Sequence, residues 1–168
     1  MLDVGCGSGD LACAAIARGA DRAMGFDLGA GAIEAARSLA NERGLADRAR
    51  FEVGDGASLA LPRADVVSLN RVLCCYPHVD ALLSNTLGAA GAIYGFTAPH
   101  DRGTIGLGNR IWVRVGNVWY RLRAKKFRGF RAFVHDLGAV DARIRAAGFE
   151  PVRRERRGLW DLAVYARR

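Results

Sequence analysis

The segment LDVGCGSGD at positions 2–10 places glycine at alternate positions, Gly5, Gly7 and Gly9, directly behind the short apolar run Met1–Val4. Apolar residues at helical spacing follow it, Leu11, Ala14 and Ala15, and Gly19 closes the run. A bare loop between the tail of a buried strand and a helix lets backbone N–H groups approach a ligand closely. This turn constrains the fold more than any other stretch, because it belongs to strand–loop–helix units of a parallel sheet.

The rest of the chain keeps that alternation. Ala23–Phe26 reads as a strand ending at Asp27, Ala30–Arg43 as a helix stopped by Gly44, and Ala49–Val53 as a strand ending at Gly54-Asp55. Asp65–Leu69 is β-branched and expected to be buried on both faces. Val79–Leu87 reads as a helix and Ala92–Thr97 as a strand ended by Pro99. A long basic and aromatic helix is expected over Ile105–Lys126, then a helix over Leu137–Ala147, then strands over Glu150–Glu155 and Leu159–Ala166 around Arg157-Gly158. The expected fold is α/β: a doubly wound, Rossmann-like, mostly parallel seven-stranded sheet. It has helices on both faces and an antiparallel C-terminal strand.

At 168 residues and 51% hydrophobic, the chain is the size of one domain, expected to span 1–168, and is not globally disordered. The four cysteines, Cys6, Cys13, Cys74 and Cys75, have no metal-ligand spacing, so no metal is expected and the thiols read as free in a reducing cytoplasm. No basic region precedes an apolar run at the N-terminus, and the uncharged stretch 81–99 reads as helix, turn and strand rather than a membrane span. Charge is uneven. Residues 1–100 carry 8 basic and 11 acidic side chains, a net of −3, whereas residues 101–168 carry 17 and 6, a net of +11. Residues 1–100, which hold the glycine loop, are expected to form a cofactor-binding half and residues 101–168 a basic, substrate-side half whose charge points to an anionic partner or surface.

Asp27 lies 22 residues after Gly5, at a strand end where an acid can take both hydroxyls of a ribose. NAD, FAD and S-adenosylmethionine are all open at this point. Three details favour the last. The spacing is Gly-x-Gly-x-Gly, Asp3 precedes the loop where a carboxylate can receive an ammonium, and Asp55 ends the third strand where it can accept from an adenine amino group while the next N–H reaches a ring nitrogen.

At these residues the sequence resembles the class I S-adenosylmethionine-dependent methyltransferases, over nearly all of the first 100 residues. LDVGCGSG matches their first motif, GFDL supplies Asp27 and an adenine-facing Leu28, and VGDGA supplies Asp55 and Ala57. ADVVSLNRVL matches the fourth motif, with Asn70 beside the methionine end. The resemblance implies a cofactor set of Asp3, Gly5, Cys6, Gly7, Gly9, Asp27, Leu28, Asp55, Gly56, Ala57 and Asn70. The substrate side is placed at Arg71, Cys75, Tyr76 and Arg110. Many relatives carry a histidine at the position of Cys75, so a histidine base is not expected, and the catalytic residue is left unassigned. The segment is not of the Asn-Pro-Pro-Tyr type, which disfavours nucleobase amines.

Over roughly 66–168 the chain resembles the magnesium-protoporphyrin O-methyltransferase group, through VLCCYP, GNRIWVRVGNVWYRLR, FRAFVH and AAGFE. That resemblance implies methylation of a propionate carboxylate on a flat, greasy acceptor. Arg110, Arg114 and Arg121 could pair with a carboxylate, and Trp112, Trp119, Tyr120, Phe127, Phe130 and Phe133 offer flat apolar surface. The alternative is that they pack or solvate the helix. His100 and His135 lie at element ends, where they could orient substrate or act as caps. Three functions follow: a small-molecule methyltransferase, an RNA methyltransferase drawing on the basic tail, or a cofactor-binding module without catalysis. The basic amphipathic helix also suits peripheral contact with an anionic membrane. Class I relatives have a helical segment before the first strand, whereas Met1 stands inside it here. Either the chain is a fragment or its site is unusually open; the fragment is the expectation, binding cofactor weakly and turning over poorly.

Overall fold

The computed structural model describes residues 1–123 and 130–168. One sheet of seven strands organises them: β1 (Leu2–Val4), β2 (Ala23–Asp27), β3 (Ala49–Val53), β4 (Ala64–Asn70), β5 (Ala90–Pro99), β6 (Phe149–Arg157) and β7 (Trp160–Arg167). The order is β3-β2-β1-β4-β5-β7-β6. The first five strands run parallel, and β7 enters antiparallel between β5 and β6. The helices are α1 (Asp10–Ala17), α2 (Ala30–Glu42), α3 (Val79–Ala89), α4 (Gly103–Leu122) and α5 (Leu137–Ala146), with a short 3-10 turn at Leu73–Cys75. The expected α/β class, mostly parallel sheet and antiparallel C-terminal strand are all observed.

Two apolar clusters lie in the fold. Leu82, Leu83 and Leu87 of α3 and Val140 and Ile144 of α5 pack with Leu2, Val4, Val67, Leu69, Tyr94 and Phe96 of the sheet. Ala12, Cys13 and Ile16 of α1 and Ile33, Ala36 and Ala40 of α2 pack with Ala23, Ala49 and Phe51. In β1 the side chains of Leu2 and Val4 share one cluster because the pleat repeats every two residues.

The expectation that Asp65–Leu69 is buried on both faces is corrected. Val67 and Leu69 are fully buried, but Val66 and Ser68 are only half-buried and Asp65 is exposed. The α1–α2 layer lies over β1, β2 and β3, so the same face of β4 receives no comparable cover among the described residues. The edge strand β6 holds Pro151 at a register shift, followed by Arg153, Arg154, Arg156 and Arg157. A proline and a row of charge at an edge discourage further strand pairing. The expected helix over Ile105–Lys126 is α4, displaced two residues toward the N-terminus, and its expected end at residues 124–126 lies outside the described residues.

The chain order reverses between β1 and β4. In doubly wound sheets, ligands bind at such a switch point, beyond the C-terminal ends of the strands. The glycine loop, Asp27, Asp55 and the segment after Asn70 all follow those ends.

Candidate functional site

The glycine loop is tied to β2 at its base. Gly5 and Cys6 both donate to the Phe26 carbonyl, at 2.7 and 3.0 Å. Gly5 adopts φ +73°, and a Cβ on it would meet Val72 Cγ2 at 2.4 Å. Gly7 adopts φ +53° but faces open space, with nothing within 4 Å of a Cβ position. The two positions therefore predict different losses. Gly5→Ala costs about 2–3 kcal/mol of stability, from left-handed strain plus overlap. Gly7→Ala costs about 1 kcal/mol, from strain alone. Urea titrations of the two variants check this, and equal losses contradict it.

Three carboxylates surround the loop, each with different hydrogen-bond partners. Asp27 is held by two backbone donors, Gly29 N to Oδ1 at 2.8 Å and Gly7 N to Oδ2 at 2.9 Å. Its position therefore depends on the glycine loop, and the loop depends on it. Asp55 accepts from Ala57 N at 2.9 Å, and the Tyr76 hydroxyl donates across both its oxygens at 2.8 and 2.9 Å. Asp3 is 1% exposed. Its Oδ1 is the one buried side-chain oxygen or nitrogen without a hydrogen-bond partner among the described residues. Burial, then the charge of Asp27, pushes the Asp3 carboxyl up to about 7. Tyr76 is pushed up to about 12, first by burial and then by its bond to Asp55.

A cavity of about 310 Å³ opens beside Asp27 and Asp55, and Asp3 is not among its lining residues. Of the residues expected from the sequence, Gly5, Asp27, Leu28, Asp55, Gly56, Arg71, Cys75 and Tyr76 line it. Val4, Gly54, Val72 and Leu82 also line it and were not anticipated, and so does Phe130, one of the aromatics expected to offer flat apolar surface. Val72 follows the fourth motif and touches the glycine loop, while Phe130 arrives from 54 positions beyond Tyr76, a proximity no local pattern encodes. Gly7, Ala57, Gly9, Cys6 and Asn70 do not line it. Gly7 and Ala57 orient Asp27 and Asp55 through their N–H groups. Gly9 permits close packing against Phe51 and Ala36, and the Cys6 sulfur lies over Gly25. Burial pushes the Cys6 thiol up to about 12, so it is neutral packing rather than a reactive group. The Asn70 carboxamide accepts from Thr97 Oγ1 at 2.6 Å.

Arg71 is the one non-glycine residue with positive φ among the described residues, at φ 60°. Thr97 fixes it there, accepting from Arg71 N through Oγ1 at 2.8 Å. Its guanidinium lies 5.0 Å from the Trp160 ring centroid, and Arg71 is among the residues that line the cavity. The Cys74 and Cys75 sulfurs are 3.3 Å apart. That contact lowers the Cys75 thiol and raises that of Cys74.

Arg110 is not brought to this cavity. It is exposed, and its guanidinium donates to the Asp101 carbonyl at 3.2 Å. Of the described members of the aromatic set, Phe130 alone lines the cavity. Tyr120 meets Phe130 edge-on at 4.8 Å, Phe133 stacks on His135, Trp112 is 75% exposed, and Phe127 lies outside the described residues. His135 Nε2 is 2.9 Å from the Tyr76 carbonyl oxygen. His100 Nδ1 is 2.6 Å from Asp161 Oδ2. With Asp101 these two form a group of possible metal ligands that sequence spacing did not show, because β7 returns residue 161 beside β5. Arg156 and Arg102 already stand beside its carboxylates, at 3.5 and 4.0 Å.

A doubly wound sheet with a glycine loop at its switch point, and acids on three consecutive parallel strands, defines an S-adenosylmethionine-type methyltransferase domain. Residues 1–89 match the family described as methyltransferase domain, and the chain belongs to it. It is 49% identical over 102 residues to ribosomal protein L11 methyltransferase of Ectopseudomonas mendocina (strain ymp), covering 58% of this chain and 34% of that protein. The corresponding protein of Haemophilus influenzae (strain PittEE) is 44% identical over 99 residues, covering 55% and 33%. These matches span about a third of the curated relatives.

Among solved structures, the chain is similar to magnesium protoporphyrin IX methyltransferase from Synechocystis PCC 6803 with bound SAH. The TM-score is 0.77 at 22% identity, over 99% of this chain and 73% of that one. An O-methyltransferase family 2 protein from Planctomyces limnophilus DSM 3776, in complex with apigenin, gives 0.74 at 18%, over 99% and 50%. At these identities the likeness is one of fold.

The residues fit the family's cofactor, S-adenosylmethionine. The unpartnered Asp3 oxygen offers an acceptor to an ammonium, Asp27 is preset by two amides, and the side of Gly7 that faces open space leaves backbone accessible. No helix among the described residues is long and apolar enough to cross a membrane.

Proposed function

We propose that the domain transfers the methyl group of S-adenosylmethionine, in the cytoplasm, to a carboxylate on a flat amphiphilic small molecule, a tetrapyrrole propionate in its sharpest form. Bound cofactor supplies an electrophilic methyl group on a sulfonium. Asp27 would hold the ribose, Asp55 and the N–H groups after it the adenine edge, and Asp3 the amino end.

The observation that carries the acceptor reading is the cavity wall itself. Arg71 provides a fixed cation beside the apolar Val72, Leu28 and Phe130. No histidine lines the cavity among the described residues. Tyr76 is neutral near pH 7 and donates to Asp55, so it does not serve as a base. A carboxylate arrives already nucleophilic and needs positioning and desolvation rather than proton removal. Neighbours in fold include proteins crystallised with apigenin and with 1,4-dihydroxy-2-naphthoic acid, both flat aromatic molecules.

A second reading, a protein acceptor, is favoured by the identity to L11 methyltransferases. Methyl transfer from labelled S-adenosylmethionine, offered porphyrin carboxylates, ribosomal protein and RNA in parallel, separates the readings. Label in a base-labile ester of the porphyrin supports the first, and label confined to protein or RNA overturns it. Arg71→Ala is expected to raise the KM for a carboxylate acceptor roughly tenfold by removing one charge-assisted contact. An unchanged KM removes Arg71 from the acceptor site.

A further inference from the structure

Helix α4 has three faces rather than two. Its inner side is fastened to the domain. Asn109 donates to the His100 and Leu159 carbonyls at 2.9 and 3.1 Å, and Asn117 exchanges two hydrogen bonds with Ala132 at 2.9 and 2.8 Å. Tyr120, on the same side, meets Phe130 of the cofactor cavity.

The outer side is apolar and faces solvent. Leu107, Ile111, Trp112, Val115, Val118 and Leu122 are each between 47% and 79% exposed. At 3.6 residues per turn these six positions span an arc of about 140°. Arg110, Arg114 and Arg121 run along one edge of that arc, and Arg123 stands at the other, its guanidinium 5.1 Å from the Trp119 ring centroid. No acidic side chain occurs from Arg102 to Arg123. Single exposed apolar residues are ordinary on a protein surface, but a continuous stripe of this kind marks an interaction surface.

Charge decides the partner. Pairing α4 with α4 of a second copy would bring rows of arginine with no intervening acid toward each other. An anionic bilayer takes both elements at once. Apolar side chains and tryptophan enter the acyl boundary, while long arginine stems carry their charges to the phosphates. The helix is not apolar enough to span.

We propose that α4 is an interfacial anchor that docks this domain on an anionic lipid bilayer, its apolar arc in the acyl boundary and Arg114 and Arg121 on lipid phosphates. Because the inner side of the same helix touches Phe130, docking would hold the cofactor cavity near the surface from which a lipophilic acceptor arrives. The outer surface of the helix provides this anchor whether or not the acceptor is a carboxylate.

Sedimentation of the full chain with vesicles tests it. Binding to mixed phosphatidylcholine–phosphatidylglycerol vesicles is expected to be about 30-fold tighter than to pure phosphatidylcholine, given Arg114 and Arg121 at the surface. Added salt should weaken it as exposed charges are screened. Ile111→Asp/Val115→Asp should abolish binding, and Arg114→Gln/Arg121→Gln should cut the anionic preference at least roughly tenfold. Both pairs of side chains are solvent-facing, so far-UV circular dichroism should match the parent. A folded parent that stays in the supernatant with anionic vesicles overturns the proposal, as does equal binding to both vesicle types. A stable dimer lost in Ile111→Asp/Val115→Asp and undisturbed by vesicles overturns it in favour of a second copy.

Discussion

An Asp27→Ala chain is expected to bind S-adenosylhomocysteine at least ~100-fold more weakly than the parent, by calorimetric titration, with each charge-assisted hydrogen bond worth about 1.5–3 kcal/mol. Asp27 acts twice. Its carboxylate would take the ribose hydroxyls, and it already ties Gly7 to Gly29 through two amide bonds. Removing it loses ligand contacts and frees the glycine loop together. Asp55→Ala should lose less, roughly tenfold, because Ala57 N and the Tyr76 hydroxyl are near the surface and can turn to water. An Asp27→Ala affinity within a few-fold of the parent would remove this carboxylate from the cofactor site.

Asp3→Asn is expected to strengthen the fold and weaken the site. The folded-state carboxyl is raised to about 7, against 3.8 when unperturbed. Between those two values the folded chain keeps a proton that the unfolded chain has released, so stability falls as pH rises across that window. Above pH 7 the carboxylate is ionised in both states, and its burial penalty is fully present. The neutral amide removes that penalty, a gain on the order of 4 kcal/mol at pH 8, since each tenfold change in proton affinity corresponds to about 1.4 kcal/mol. Near pH 4 the variant and parent should be close in stability. The same substitution deletes the acceptor for an ammonium, so S-adenosylhomocysteine affinity should fall. Denaturant midpoints of both chains at pH 4 and pH 8, beside the titration, check the pair of effects. A variant no more stable than the parent at pH 8 contradicts the picture of Asp3 as a buried charge kept for its ligand.

Most of the proposed cofactor side was legible along the chain. Gly5, Asp27 and Asp55 are each local: a glycine or an acid at the end of an apolar run, at a place where a parallel strand must stop. Their meaning depends on strand ends converging, and alternation of strands and helices already required that. The register of β1 beside β2, with Val4 opposite Phe26, then sets the loop against Asp27 without further information.

The acceptor side was less legible. Arg110 shares its helix with Tyr120, whose ring meets the cavity residue Phe130, yet Arg110 turns back to the Asp101 carbonyl. Phe130 was one aromatic among several until Tyr120 and the Asn117–Ala132 pair fixed its loop beside the cavity. The His100–Asp161 contact joins positions 61 residues apart through the β5–β7 pairing, which no spacing rule reports.

By itself the sequence determined the parallel sheet, the glycine loop and the three carboxylates, because each rests on a local period or a strand-end residue type. Only the tertiary structure decided which arginine reaches the cavity, that Tyr76 holds Asp55, and that the apolar arc of α4 faces outward. Those facts depend on the rotation of helices and loops about contacts distant in the chain, and that rotation is set by packing rather than by any local pattern.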